Sequence, residues 1–567
     1  MSFDAAYVSD IELALHDQLP GRWRRLSAGE LATHPLHIFC AGWRIDVPAA
    51  SVRIDGVDHF VVVVDAAFPN SQPRVFAPQA GSDFRWPHIE TRGLLCLKST
   101  RVFAVPGQRV LQHLLWAEEL LNFGDDECRR EFEREFVAYW DQRSSPKKKR
   151  PEVLSLCKPG GDSREVVYST DRIRGRIVLA DSKTELVNWL RNSGSNPSDR
   201  EVLPTWLLRL SRPWTPKDYP EIGRDVLSKL PEVILRRVLN PGQPCPLVFE
   251  AKTPTGPAFA AVLLHGADER ELVRGFRSMS KVPISRILAA FNGRSVQRCP
   301  VTRVDGPWIH GRGHDEDYPA IRRKSVALVG CGALGGSLAK LLAQAGVGTL
   351  VLIDPDSLTP ANVARHVLGM RSVGEIKAQA MAQMLRQEFP HIVTVTHYAK
   401  RFQWLTVQEL ETVSSVDLII SAGIDFDGDA KLDVWRRGLA TPPPHICTWT
   451  EAHAIVGHAV LLYGSDSLVA GFDDREQPLF RLTDWPDDGR AMVVEAGCGN
   501  LFQPHGAIDL QPTVALAARL AVDVLLGRVP TSCRRVWQGD LAAVAANGGN
   551  AAPNFSTSNI ARESGWY

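Results

Sequence analysis

SVALVGCGALGGSLAKLLAQAGVGTLVLIDPDSLTPANVARHVLGMRSVGEIK, residues 325–377, carries more chemistry than any other part of the chain. Ser325 to Val329 is a short apolar, β-branched run; Gly330, Gly332 and Gly335 follow, and then an amphipathic helix pattern. In such a strand–turn–helix, Gly330 permits the tight turn, Gly332 lets backbone N–H groups approach a phosphate, and Gly335 lets the helix lie close to the strand, with its positive end toward the anion. The spacing predicts a nucleotide loop. The next strand, Thr349 to Ile353, ends in Asp354, where these folds place a carboxylate for ribose hydroxyls. An NAD-binding domain would share both features. Asn362, Arg365 and Lys377 then follow within one turn-and-helix unit, and a dehydrogenase needs no cations there. A triphosphate does, because charge builds on its β and γ phosphates when the α phosphate is attacked.

The ordered series GxGxxG, Asp354-Pro355-Asp356, NxxR from Asn362 to Arg365 and GxxK from Gly374 to Lys377 resembles the ThiF/MoeB/HesA superfamily, which includes the ubiquitin-activating enzymes. The resemblance implies a Rossmann-like adenylation domain that takes ATP and Mg2+ and adenylates the C-terminal carboxylate of a small protein. One position departs: the residue after the arginine is commonly Gln in that family and is His366 here.

At 567 residues the chain has room for two to four domains. Its 44% hydrophobic and 23% charged content is that of a globular protein, and a net charge of +1 excludes the strong basic bias of a nucleic-acid or anionic-membrane binder. No apolar run reaches a membrane span, and the acidic N-terminus lacks a signal-peptide core, so a cytoplasmic protein is expected. The ten cysteines include no CxxC pair, which leaves the structural zinc site of many ThiF relatives unsupported.

Residues 1–143 read as one compact domain. A polar helix near Asp10 to Gln18 precedes strands around Leu36 to Val47, Ser51 to Ile54 and His59 to Ala66. A proline-bracketed crossing from Phe68 to Phe76, then Trp86-Pro87-His88 and Gly93-Leu94-Leu95-Cys96-Leu97, lead into helices with Val110, Leu114, Ala117 and Leu121 on one face and Phe132, Phe136 and Trp140 inward on the next. This order resembles an α+β ubiquitin-conjugating domain. The resemblance implies that Cys96 forms a thioester and that His88 occupies the place of the family's oxyanion-stabilising Asn. His88 either donates a hydrogen bond in its stead or is structural. For Cys96 the competing reading is a core cysteine, supported by its flanking leucines; its place after a glycine turn favours the nucleophile.

Residues 144–152 hold four consecutive cations between prolines and read as an exposed linker. Residues 153–310 read as a small α/β middle domain without a catalytic signature, and 311–541 as the adenylation domain. Past the strand near Ser415 to Ile420, the family's magnesium-binding Asp falls on Asp425, with Asp427 one alternative and a helix-capping Asp another. Cys498, between glycines and ahead of an alanine-rich helix, matches the thioester cysteine of activating enzymes; Cys447 and Cys533 are rivals, and nearby His505 is placed to lower a thiol pKa. Residues 542–567 read as a mobile tail.

A conjugating domain ahead of an activating domain is similar to the fusion proteins of bacterial CBASS anti-phage operons. In that family the protein conjugated is the CD-NTase cyclase, through its C-terminus. The resemblance therefore implies a thioester relay from Cys498 to Cys96, an amine acceptor on a protein or small molecule, and a homodimer in which Arg312 reaches the other subunit. A ubiquitin-like modifier as substrate is the first alternative. A non-catalytic scaffold is the second, and would need none of Cys96, Cys498, Arg365 or Lys377.

Overall fold

The computed structural model describes residues 5–32, 38–48, 51–54, 56–81, 84–97, 105–142, 151–171, 173–239, 243–266, 268–486, 491–494 and 501–553. It divides into two compact units, one of residues 1–153, 159–166 and 203–302, the other of 154–158, 167–202 and 303–567. The stretch 153–310 is thus shared between the two. The linker 144–150 and Cys498 lie outside the described residues.

The first unit begins with the helix Ala5–Gln18, which buries Val8, Ile11 and Leu15 at helical spacing. A four-stranded antiparallel sheet follows in chain order, Trp23–Arg25, Phe39–Asp46, His59–Asp65 and Arg74–Phe76. The valine run of His59–Asp65 suits a pleated, buried strand. Ser51 to Ile54, expected as a strand, is a bend in which the Arg53 N–H donates to Leu121 O (3.0 Å), because the chain leaves the sheet there for the end of a helix. That helix, Pro106–Leu121, lies tight against the first: a Cβ on Gly107 would meet Asp10 O at 2.6 Å, and the Gly107 N–H donates to Asp10 Oδ2 (2.8 Å). Helices Asp125–Arg134 and Phe136–Gln142 turn their aromatics onto strands of residues 203–302, where Cys245–Thr253 pairs parallel with Leu203–Arg209 and antiparallel with Gly256–Leu264. Trp140, fully buried in that cluster, donates from Nε1 to Cys299 O (3.0 Å).

The second unit is built on a seven-stranded sheet in the order Thr394–Tyr398, Thr349–Ile353, Ser325–Val329, Leu418–Ala422, His445–Thr450, Val456–Leu462 and Cys533–Gln538. The first five run parallel and the last two pairings are antiparallel. Near-continuous apolar strands such as Ser325–Val329 and Leu418–Ala422 follow from burial on both faces. Chain order reverses between those two strands, so their carboxyl ends open a crevice of the kind in which open α/β sheets bind ligands. Leu541–Ala546 is a helix and Asn550–Ala551 pairs with Thr483–Asp484, so structure extends into the residues expected as a tail. No helix among the described residues is long and apolar enough to cross a membrane.

Candidate functional site

The crevice of the second unit is lined by two cavities that share Gly332 and Lys377. The glycine loop is shaped by close approach. Gly330 has φ +91°, and a Cβ there would meet Ala422 O at 2.6 Å; one on Gly335 would fall 1.9 Å from Gly330 O. A Cβ on Gly332 would meet nothing within 4 Å, so the space before it is open to a ligand at the start of helix Ala333–Gln344.

The larger cavity, about 280 Å3, is bordered by Asp354, Asp356, Lys377, Lys400, Arg401 and Asp425. Asp354 is 5% exposed; its Oδ2 accepts from Cys331 N–H (2.6 Å) and its Oδ1 from Asp356 N–H (2.8 Å). Burial pushes this carboxyl up, and those two backbone bonds oppose the shift. Lys377 opens helix Lys377–Glu388, and its Nζ lies 3.1 Å from Asp356 Oδ2. Asp425 caps helix Phe426–Arg437 by accepting from Gly428 N–H (2.6 Å), while its carboxylate stays 64% exposed and 3.9 Å from Arg401. Asp427 does not border the cavity. Magnesium is commonly bound by one or two carboxylates together with substrate phosphates. Asp425 fits such a part share, and no cluster of three acidic, His or Cys ligands occurs among the described residues.

The smaller cavity, about 180 Å3, adds Asn362, Arg365, His366 and His505. Asn362 Oδ1 accepts from Thr359 N–H (3.1 Å) and Oγ1 (3.0 Å), which closes the short turn that presents Arg365. Burial, then the nearby Arg365, hold His505 below the ordinary histidine value. The rival Cys447 is 1% exposed and its thiol is pushed well up by burial, so it is no nucleophile. Cys533 begins the outermost strand and is part-exposed. Arg312, at φ +57°, stacks 5.4 Å over Trp308. Lys400 and Arg401 went unread in the sequence; their signal was their place just beyond the carboxyl end of the strand Thr394–Tyr398.

In the first unit Cys96 is exposed and borders a cavity of about 390 Å3 with Asp65, Arg74, Glu90 and His113. Its N–H donates to His88 O (2.8 Å). His88, at φ +60°, donates its own N–H to Tyr139 Oη (2.7 Å), and its ring faces Glu131 (Nε2, 3.1 Å) and Glu135 (Nδ1, 3.5 Å). His88 therefore meets Cys96 through its backbone, while its ring is given to carboxylates. Partial burial, then Glu90 and Glu135, raise the Cys96 thiol above its usual value. His113 is 1% exposed, its Nδ1–H donates to Arg109 O (2.7 Å), Nε2 has no hydrogen-bond partner among the described residues, and burial lowers its pKa. His113 thus borders the cavity of Cys96, with its Nε2 buried. Its sequence signal was its spacing three residues after Val110 on the buried helix face.

Comparison with known proteins matches residues 311–523 to the ThiF family and residues 42–148 to prokaryotic E2 family B. The ATP-dependent ubiquitin transferase-like protein Cap2 of Pseudomonas aeruginosa is 29% identical over 244 residues, 41% of this chain and 42% of that one. Cap2 of Vibrio cholerae is 27% identical over 335 residues, 52% and 53%. The ubiquitin-like modifier-activating enzyme 5 of Rattus norvegicus is 29% identical over 164 residues, 27% and 39%. The chain thus spans about half the length, or less, of the curated relatives it matches. The solved structure of E. coli MccB with AMPCPP and MccA aligns over 37% of this chain and 58% of that one at 18% identity and a TM-score of 0.28, too low to bear on the fold. In one polypeptide the match to prokaryotic E2 family B therefore precedes the match to the ThiF family.

Proposed function

We propose that this protein activates the C-terminal carboxylate of a protein with ATP, passes it through thioesters on Cys498 and Cys96, and joins it to an amine. The observation that carries the reading is the convergence of the open space at Gly332 with Arg365, Lys377, Lys400 and Arg401 in one crevice, in a chain that also exposes Cys96 beside a cavity.

The helix N-terminus at Gly332 and the cations Arg365 and Lys377 hold the polyphosphate. As a carboxylate oxygen bonds the α phosphorus and the bond to the β-phosphate oxygen breaks, Arg365 and Lys377 stabilise the pyrophosphate that leaves. A magnesium ion, held in part by Asp425, would neutralise further phosphate charge when bound. Asp354 fixes the loop through Cys331 N–H and borders the larger cavity, where it would face the ribose hydroxyls. Transfer to a thiolate keeps the acyl group reactive and releases AMP, which divides one hard acyl transfer into easier steps. At Cys96 an amine attacks the thioester carbonyl, the C–S bond breaks with Cys96 leaving as thiolate, and the amine proton is released to solvent.

The carboxylate substrate we propose is the CD-NTase cyclase, a reading supported by the likeness to the two Cap2 proteins. A ubiquitin-like modifier is the second reading, favoured by the likeness to modifier-activating enzyme 5. A homodimer, with Arg312 reaching across, completes the proposal; a monomer by light scattering at micromolar concentration would count against it. The deciding experiment is ATP–pyrophosphate exchange with each candidate protein, intact or lacking its last residue. Exchange that needs the intact C-terminus and Lys377 supports the reading, and a preference for NAD over ATP replaces it with a dehydrogenase.

A further inference from the structure

Cys331, between Gly330 and Gly332, is fully buried, and its backbone is held from both sides. Its N–H donates to Asp354 Oδ2 (2.6 Å), and its carbonyl faces His366 Nε2 (2.6 Å). The other ring nitrogen, Nδ1, accepts from Leu368 N–H (3.0 Å). A backbone N–H can only donate and a carbonyl only accept, so the ring is neutral, bare at Nδ1 and protonated at Nε2. His366 is 8% exposed, and a Cβ on Gly336 would sit 3.3 Å from its Nε2, so the ring has little room to turn.

A trans peptide sets its C=O and N–H on opposite sides. Holding the Cys331 carbonyl on the ring side therefore turns the Gly332 N–H the other way, and Gly332 borders both cavities. The same ring is bonded through the chain to Arg365, whose turn closes with the Arg365 and His366 N–H groups both on Asn362 O (2.9 Å each). We propose that His366 is a positioning residue that locks the glycine loop to the arginine turn, aiming the Gly332 N–H and Arg365 at one phosphate group. This rests on the adenylating reading and deepens it.

Protonation would break the lock, since an imidazolium has no lone pair for Leu368 N–H. The charged groups facing the ring are Lys377 on the helix beyond the turn, Asp354 on the neighbouring strand, and Arg365 and His505 around the shared cavity. Burial, the larger cause, and Lys377 hold the ring below the ordinary histidine value, while Asp354 and the Cys331 carbonyl oppose them. Folding favours the neutral ring, so the contribution is complete above about pH 6.5 and is lost as the pH falls toward the lower value of the folded chain.

The test compares the full-length chain with His366→Gln, whose amide donates and accepts without titrating, and His366→Ala, which does neither. In ATP–pyrophosphate exchange, His366→Ala should raise the KM for ATP about ten-fold, the loss of a bond of about 1.4 kcal/mol, with a smaller change in kcat. His366→Gln should restore KM at pH 8 and remove the rise in KM that the natural chain shows in acid. A natural KM that falls in acid, or an acid limb unchanged in His366→Gln, would overturn the proposal. Independently of any nucleotide, 15N-imidazole histidine labelling of the whole chain should show, below pH 6.5, an Nε2-protonated, neutral ring signal that is lost in His366→Gln while those of other buried histidines such as His391 remain. A charged or Nδ1-protonated ring at pH 7.5 refutes the lock. Absent exchange in the natural chain, with the neutral ring observed, would instead reject only the adenylating function.

Discussion

Among the described residues around Cys96 the carboxylates Asp65, Glu90 and Glu135 outnumber the one cation Arg74, whereas around the glycine loop four cations, Arg365, Lys377, Lys400 and Arg401, stand against the carboxylates Asp354, Asp356 and Asp425. The cleft of the second unit suits an anion: a helix N-terminus and side-chain cations converge on open space. The surroundings of Cys96 do the reverse. They suit an approaching ammonium and leave the thiol a weak acid. On the proposed function the contrast would separate two jobs, since phosphate must be neutralised before pyrophosphate departs, whereas an acceptor amine must be drawn in and lose a proton.

The sharpest way to break this division is Cys96→Ala, which should remove the amide product by on the order of 10⁴-fold while exchange stays within about two-fold. Non-reducing gels beside an exchange assay read both, and amide formed at the natural yield would end the relay. Lys377→Ala comes next, with exchange expected to drop about 10²–10³-fold, as for other groups that stabilise developing charge. Alkylation of Cys96 should be untouched in that variant, and mass spectrometry of the labelled peptide checks it.

The smallest effect concerns pH. Because the thiol is raised from its ordinary value of 9.0, its thiolate fraction and its alkylation by iodoacetamide should climb about ten-fold per pH unit and show no plateau below pH 9. Glu135→Gln removes one raising charge and should speed the reaction at pH 7.5 by about two-fold.

The two regions also differ in what could be read from the residues alone. The ThiF-type cleft was legible because its groups lie in consecutive strand–turn–helix units: Gly330, Gly332, Gly335, Asp354, Asn362, Arg365 and Lys377 fall within 53 residues, and regular geometry carries each to the same sheet edge. The surroundings of Cys96 were legible only at Cys96 and His88. Their remaining groups come from Asp65, Arg74, Glu90, His113, Glu131, Glu135 and Tyr139, brought together by a sheet, a bend and three helices, and no local period marks them.

By itself the order of residues determined the strand–turn–helix units of the second unit's sheet and the glycine loop between them, because apolar periodicity and glycine spacing act over one or two elements. Only the tertiary structure decided that His366 clamps Cys331 O, that His88 turns its ring to Glu131 and Glu135, and that Cys447 is buried. A side chain's partners depend on which distant segments pack against it, and burial sets both its protonation and its access to a substrate.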